Sequence, residues 1–580
     1  MRRILVIGSE VGDPLTAPGV LDTTSLTFGA GDGGIVFNHT GTNYIFDTPM
    51  TGGISGDGEM TAVAGRTILN GDHTGFTGGL NAENVGILQV NGDMSNADAT
   101  TTGNGTLEGL GTVANIANSG IVAPGTQLQL GTLTALNYVS TGGRLHISAI
   151  LGDDSSPTDR LHVLGDTSGT TAVAVTNVGG SGAQTYNGIM IVEVDGVSAG
   201  AFNLIGNFVT PTGQQAVVGG AYAYALYQGG VIDPADGNWY LRSEDISGVT
   251  IYNPGVPLYQ SYAQQLFALN RLPTLEQRVG NRLWGPQAAA NAFGPYQSVA
   301  PQSGVWVRLE GERQHFDQGT TTGPQTQRVA VGRIQAGFDQ VVNETPQGKT
   351  VAGFTAQYAY AWGNVSSRAG NGTMDTSAWG LGGTLTWYGT DGFYADAQAQ
   401  ILPMDTDLKS STAAITLASG RRAIGYGLSV EIGQRYSLGG NWDLTPQAQL
   451  MWTPVGANAF ADVWGAYVDP NNTESLIARI GLQPRYSETW IGANGLLSRS
   501  TVYGIANIYQ ELTGDPSVDV SGVRFNGDRD STWGGLGLGG TWSWSDEAFA
   551  LYGEGAFNTS LNEFGDSFGY GGTIGLRSKW

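Results

Sequence analysis

Five histidines, His39, His73, His146, His162 and His315, are the side chains best able to bind a metal or shuttle a proton, yet none stands at HExxH or a comparable ligand spacing. No metal and no cofactor are expected. Cysteine is absent, which removes disulfides, thiolate-bound zinc and a cysteine nucleophile together. The N-terminal Gly-Ser-Glu and Gly-Asp-Pro fragments fall short of a lipase signature, so a serine nucleophile is not expected either. Asn-Gly-Asp occurs at 70–72 and 91–93. Calcium would need regular nonapeptide spacing, so these read as turns. A net charge of −23 disfavours nucleic acid, which needs a basic face. These residues point away from catalysis and toward architecture.

Composition indicates what that architecture is. Glycine is frequent, at 92 of 580 residues, only 13% of residues are charged, and lysine occurs three times, at Lys349, Lys409 and Lys579. Gly/Asn/Thr-rich runs with short apolar alternations predict an all-β chain, because glycine serves turns while Val, Ile, Thr, Tyr and Trp favour strands. No run of eighteen apolar residues exists, so a membrane could be entered only as a closed barrel. At the start, MRRILVIGSE carries a basic segment, but its apolar run at 4–7 is too short for a signal peptide. Either the chain is expected to be truncated at this end or its true start lies upstream.

Three textures follow one another. Over 14–250, strand-length apolar pieces recur between tight turns, as in GRTILNGDHTGFTGGL (65–80) and NVGILQVNGDMSNA (84–97). Such repetition predicts a solenoid of stacked rungs, a right-handed parallel β-helix. Next, VPLYQSYAQQLFALNRL places Leu258, Tyr262, Leu266 and Leu269 at helical spacing, and Glu276, Arg278 and Arg282 follow in a second segment after Pro273. The Pro/Ala/Gln/Gly-rich stretch 286–303 reads as a linker.

From 304 to 580 period-two alternation dominates. Strands of about ten to fourteen residues are expected to start near 304, 326, 350, 377, 392, 422, 441, 474, 501, 531, 548 and 567, close to the roughly 9 to 11 residues that cross a bilayer. On the last of them Phe568, Tyr570, Ile574, Leu576, Ser578 and Trp580 share one face, while Lys579, Arg577, Gly575 and Thr573 share the other. Trp362, Trp387, Trp442, Trp452, Trp544 and Trp580 sit at the ends of apolar faces, as interfacial girdles require. Arg308, Gln398, Glu431 and Gln449 fall on the polar faces and are expected to line the lumen. A soluble β-sandwich would not keep amides and charges opposite a greasy face over so many strands.

Twelve alternating strands behind a helix and a Gly-rich solenoid resemble a type V bacterial autotransporter. In the barrel the resemblance rests on SVEIGQRY (429–436), LTPQAQLMW (444–452), IARIGL (477–482) and the terminal GLRSKW. Upstream, DRLHVLGDTSGTTAVAVTNVGGSGAQT (159–185), GIMIVEVDG (188–196), AYAYALYQGGV (221–231) and GNWYLRS (237–243) are similar to the pertactin-like autochaperone region. LEGLGTVANIANSGIVAPGTQLQLGTL (107–133) resembles a passenger transport repeat.

That resemblance implies a β-helix passenger over 1–130, its autochaperone end over 131–252, a linker with a lumen-threading helix over 253–303 and a twelve-stranded antiparallel transmembrane barrel over 304–580. It implies a place in the outer membrane with the passenger on the cell surface, serving adhesion or self-association. The implied partners are outer-membrane lipid, the barrel-assembly machinery, periplasmic chaperones and an unidentified surface ligand, and the protein is expected to be a monomer. Phe568, Tyr570, Ile574, Leu576 and Trp580 would form the assembly signal. Some family members cut the threading helix at an asparagine pair just before a segment similar to LEQRVGNR (275–282); here Pro273 and Thr274 stand in that place, so no such cleavage is expected. A remnant of an enzyme-bearing autotransporter and a general porin remain as alternatives.

Overall fold

The computed structural model describes residues 3–30, 33–282, 303–493 and 495–580. All but Ser303 of the stretch expected to be a linker falls outside them. The chain divides into two compact units, Met1–Asn253 and Pro254–Trp580.

In the first unit strands stack in parallel on the strand one rung later in sequence. Gly34 lies opposite Glu59, Glu59 opposite Gly79 and Gly79 opposite Asp98; Ala99 follows opposite Ile116, Ile116 opposite Tyr138, Tyr138 opposite Thr167 and Thr170 opposite Ala201. Met60, Leu80, Leu88, Leu107, Val122, Leu145 and Leu161 point inward and are fully enclosed. Each such side chain contributes roughly 1.5–3 kcal/mol by leaving water, but only once the next rung covers it, so the stack is cooperative between neighbours. A buried polar ladder ties the rungs together as well. Thr101 Oγ1 donates to Asn118 Oδ1 at 2.7 Å, Asn118 Nδ2 donates to Tyr138 OH at 2.7 Å, and that hydroxyl lies 3.1 Å from Thr171 Oγ1.

The Asn-Gly-Asp segments at 70–72 and 91–93 are turns, with Asp72 and Asp93 accepting the amides of Thr74 and Ser95. Parallel pairing joins the strands on either side of residue 130, with Thr112 opposite Thr134. The stack ends where the pairing reverses. Phe208–Val209, Gln215–Gly219, Tyr222–Gln228 and Trp239–Arg242 form an antiparallel series, the last strand lying against Ile189–Val194.

The second unit contains twelve long strands: β1 Gly304–Thr320, β2 Gly323–Thr345, β3 Gly348–Ser367, β4 Gly372–Gly389, β5 Phe393–Ser410, β6 Ile415–Gln434, β7 Trp442–Trp452, β8 Leu476–Ile491, β9 Leu497–Glu511, β10 Thr532–Trp544, β11 Phe549–Ser560 and β12 Phe568–Lys579. Each pairs antiparallel with the next, and β12 returns to β1 in unbroken register from Lys579 opposite Gly304 to Phe568 opposite His315. The sheet is a closed barrel. Among the described residues no helix is long and apolar enough to cross a membrane.

Strand lengths correct the sequence expectation. β2 has 23 residues and β6 has 20, against the ten to fourteen expected, and β4 and β6 begin at Gly372 and Ile415 rather than near 377 and 422. The added residues, such as LASGRR before Ala423, lie beyond the apolar band. There both faces are polar, so alternation carries no signal.

Hairpins are short at the end holding Gly304 and Lys579, as between Thr345 and Gly348 or Trp544 and Phe549. At the other end residues 453–475 and 512–531 make long connections, from which Phe460–Ala461, Tyr467–Asp469, Ser517–Val520 and Val523–Asn526 build a small sheet. Barrels of this kind carry short periplasmic turns and longer extracellular loops, which orients the molecule.

Burial sets one titration in the first unit. His39 Nδ1 accepts the Gly41 amide at 3.1 Å, and its Nε2 lies 3.1 Å from Thr67 Oγ1. Burial holds the His39 pKa below the ordinary 6.5, against a smaller opposing effect of the Gly41 contact. The folded state therefore takes up this proton less readily than the unfolded chain. Stability from neutral His39 is fully present above about pH 6.5 and is lost as pH falls through it. Hydrogen exchange on the full chain, corrected for intrinsic rates, should show the Arg66–Leu69 amides losing protection from about pH 7 to about pH 5. Replacement of His39 by Gln should flatten that dependence, and a pH-independent wild type would refute it.

Candidate functional site

Two short helices occupy the barrel lumen, α1 Val256–Asn270 and α2 Leu275–Val279. Pro257 suits the first turn of α1, where an amide has no partner to lose. Arg271 is extended at φ −63°, ψ 140°. Pro273 opens a new segment two residues on, and Thr274 starts α2 with a capping box shared with Gln277. A fifteen-residue helix is marginal in water. Here its stability comes from the wall: fourteen of its fifteen residues, on every face, are buried.

At the extracellular end Tyr259 OH donates to Asp462 Oδ2 at 3.0 Å and Gln260 Nε2 donates to the Asn526 carbonyl at 3.0 Å. Midway, Gln265 Nε2 donates to Thr376 Oγ1 at 2.8 Å and to the Met374 carbonyl. The last carbonyls of α1, which have no partner within the helix, are taken up by the wall. Arg333 Nη2 donates to the Leu269 carbonyl at 2.7 Å and Gln400 Nε2 to that of Asn270 at 2.9 Å. A cation at this end also suits the helix dipole.

The segment 275–282 touches strands around the circumference. Arg278 Nη2 lies 2.5 Å from Asp396 on β5, Glu276 accepts Arg485 Nη2 on β8 at 2.8 Å, and Gln277 Nε2 donates to Glu554 on β11 at 2.7 Å. Asn281 reaches Thr501 on β9 and Thr541 on β10, while Arg282 pairs with Asp339 on β2. Tyr552 OH donates to the Arg278 carbonyl at 2.6 Å, and Arg577 Nη1 donates to that of Val279 at 2.7 Å. The closing strand β12 is thereby fastened to the threaded segment. Gly280 holds φ 67°, and a Cβ there would stand 2.7 Å from Tyr552 Cβ.

Two of the four residues named for the lumen touch the threaded chain, at Pro273 and Leu275. Gln398 Nε2 donates to the Pro273 carbonyl at 2.8 Å, and Glu431 accepts the Leu275 amide at 3.2 Å and Tyr394 OH at 2.6 Å and forms an ion pair with Arg479 at 3.2 Å. Arg308 and Gln449 are buried on the same inner face but bond to the wall, Arg308 to Gln335 and Glu310, Gln449 to Ser429 and Arg479. Tyr570, Ile574, Leu576 and Trp580 point outward and are exposed, and Phe568 stacks on His315. Ser578 lies opposite both Val305 and Phe549.

Sequence reasoning overlooked the inner arginines Arg333, Arg435, Arg479, Arg485 and Arg499, all buried, whereas Arg577, set on the polar face of the last strand, is buried as well. Their signal was parity: each has the alternation phase of inward-facing residues, as Arg435 has that of Glu431. A cavity of about 100 Å³ remains between α1 and the opposite wall, lined by Phe267, Arg271, Met451, Tyr509, Arg529 and Trp533.

Two candidates for chemistry lie in the first unit. GVSAG at 196–200 has the spacing of a nucleophile elbow, missed in the sequence, but Ser198 sits between strands Ile189–Val194 and Ala201–Ile205 with no following helix, and its Oγ faces Trp239 Nε1 at 3.4 Å. His162, Glu193 and Asp195 stand close enough to share a cation. His162 already lies 3.1 Å from Asp195, and Glu193 lies 3.0 Å from Arg160.

Residues 305–556 match the family model of the autotransporter beta-domain, and 111–226 match that of the type 1 autochaperone domain. The adhesin BmaC autotransporter of Brucella suis biovar 1 (strain 1330) is 41% identical over 99% of this chain. The chain belongs to the autotransporter family. It spans 17% of that Brucella relative. The autotransporter adhesin AIDA-I of Escherichia coli is 25% identical over 61% of the chain and 27% of its own length. The pertactin autotransporter of Bordetella parapertussis is 26% identical over 45% and 27%. The barrel of this autotransporter resides in the outer membrane, its apolar outer face in lipid.

The autotransporter's buried ion pairs yield a direct test. Replacing Asp396 by Ala leaves Arg278 charged and unpaired in the lumen, at a cost of about 3–5 kcal/mol. The barrel should then unfold at lower temperature, measured as loss of its heat-resistant gel band. Adding Arg278→Met should restore most of the loss, and equal behaviour of the single and double variants would refute the pairing.

Proposed function

We propose that the barrel anchors and exports its own solenoid, which acts on the cell surface in adhesion or self-association. The observation that carries this reading is α1, threaded through a closed barrel with its first residues bonded to the loop-rich extracellular end. In this reading the solenoid is displayed outside the cell. A lumen filled in this way argues against a general porin. The adhesive role rests on the relative from Brucella suis named an adhesin and on the long lateral surface that stacked rungs offer.

Within this reading residues 1–130 form a right-handed β-helical stem and 131–252 its autochaperone end. Residues 253–303 are the linker, and 304–580 act as a monomeric translocator. The reversed pairing at Trp239–Arg242 suits a cap that folds first and offers the preceding rung a template. Phe568, Tyr570, Ile574, Leu576 and Trp580 form the signal read by the barrel-assembly machinery after periplasmic chaperones deliver the chain. The solenoid carries no enzymatic activity, and the linker is not cut at asparagine, since Pro273 and Thr274 precede LEQRVGNR.

The test uses intact cells carrying the full chain. Protease added outside should remove the solenoid while the barrel stays protected, and cells displaying the solenoid should clump or attach more than cells whose solenoid has been shaved. Inaccessible solenoid would overturn display; equal attachment would overturn adhesion. Deleting Trp580 should remove most folded barrel from the membrane, whereas a barrel fragment beginning near residue 275 in wild-type membranes would refute the absence of cleavage.

A further inference from the structure

Cations are scarce on this chain, and most barrel arginines are buried in the lumen. Arg313 on β1 and Arg328 on β2 are exceptions, exposed on the outward face. Along β1 the outward positions run Val305, Val307, Leu309, Gly311, Arg313 and His315, so the cations follow directly after the apolar band on the extracellular side. The level is marked by aromatic rings. Arg313 lies opposite Tyr570, His315 opposite Phe568, and Phe557 on β11 lies opposite Tyr570. Trp580 and Phe338, with ring centres 6.3 Å apart, mark the other limit of the band.

The three cationic or cationisable groups converge. Arg313 lies opposite Ala330 and His315 opposite Arg328, so the two arginines are diagonal neighbours on one face, roughly 7–8 Å apart with their Cβ atoms somewhat closer. Two guanidinium groups on stems of that length can close on one phosphate from both sides. His315 stacks on Phe568 at 5.0 Å and takes a long 3.4 Å contact from Arg328 Nε to its Nδ1, which orients Arg328 along the wall. Neither arginine forms an ion pair with a carboxylate among the described residues. Asp317, the nearest outward acid on these strands, stands one outward position farther from the apolar band. Elsewhere at this height cations meet acids: Arg422 lies opposite Asp405, and Lys409 lies 3.6 Å from Asp375.

We propose that Arg313 and Arg328, braced by His315, bind the phosphate of an anionic lipid of the outer leaflet. The occupant is a lipid, because the groups sit on the lipid-facing wall at the girdle, where a headgroup and not a solute is the standing neighbour. Since β1 is half of the seam that β12 closes, such a lipid would rest beside the closure of the barrel.

The full chain would be placed in phosphatidylcholine vesicles doped with bis-phosphorylated lipid A, or with lipid A stripped of phosphate, then extracted and its bound glycolipid counted by native mass spectrometry. Wild type should retain the phosphorylated form and not the stripped one. Arg313→Gln with Arg328→Gln should lower retention by about a hundredfold, the loss of two charge-assisted hydrogen bonds, while the heat-resistant barrel band persists. Equal retention of the two lipids, or unchanged retention by the double variant, overturns the site. Release of the bound lipid by inorganic phosphate overturns the commitment to a lipid. Should the double variant fail to assemble, the wild-type comparison of the two lipids decides alone.

Discussion

A β-sheet placed in hydrocarbon cannot keep an edge, because an unpaired amide or carbonyl there has neither water nor protein to bond and costs several kcal/mol. The unbroken register of β12 against β1, from Lys579 opposite Gly304 to Phe568 opposite His315, answers that constraint. Closure in turn creates an interior. Once twelve strands form a ring, every inward residue faces a bore removed from bulk water, and every outward residue faces lipid or an interface. The alternation of Val305, Val307 and Leu309 with Trp306 and Arg308 is the local consequence of that global condition.

The interior then sets its own demand. Charges such as Asp396, Glu431 and Asp339 are nearly inaccessible to water and are tolerable only when paired. The threaded segment adds partners to those of the wall: Arg278 for Asp396, Arg282 for Asp339, the Leu275 amide for Glu431. The wall reciprocates at the helix ends, where Arg333 and Arg577 bond carbonyls with no partner within the segment. Helix and barrel therefore stabilise each other. Neither a fifteen-residue helix nor a ring of buried, unpaired ions would be stable alone. The first unit obeys a related rule in one dimension, each rung covering the apolar face of its neighbour and the pairing reversing at Trp239–Arg242 to end the series.

Much of this was legible in the residues themselves. The period of two over Phe354, Ala356, Tyr358, Tyr360 and Trp362 states which face is greasy, and repeating it twelve times states a closed, even-stranded wall. Pro257, Pro273 and the Leu258, Leu266 and Leu269 spacing locate the helix. Two things were illegible. The strands run past the apolar band, as β6 does from Ile415, because beyond lipid both faces are polar and the period vanishes. The inner arginines escaped notice because parity assigns a side chain to a face but names no partner.

Alternation, glycine-rich turns and the absence of long apolar runs thus determined the fold class, the strand count and the inward or outward sense of each residue, since these depend on neighbours two or four positions away. Only the tertiary structure decided that Gln277 meets Glu554, that Arg577 holds the Val279 carbonyl, and that Arg313 and Arg328 stand together at the girdle. Those contacts depend on strand register and ring closure, which bring together residues up to nearly three hundred positions apart, and no local periodicity encodes them.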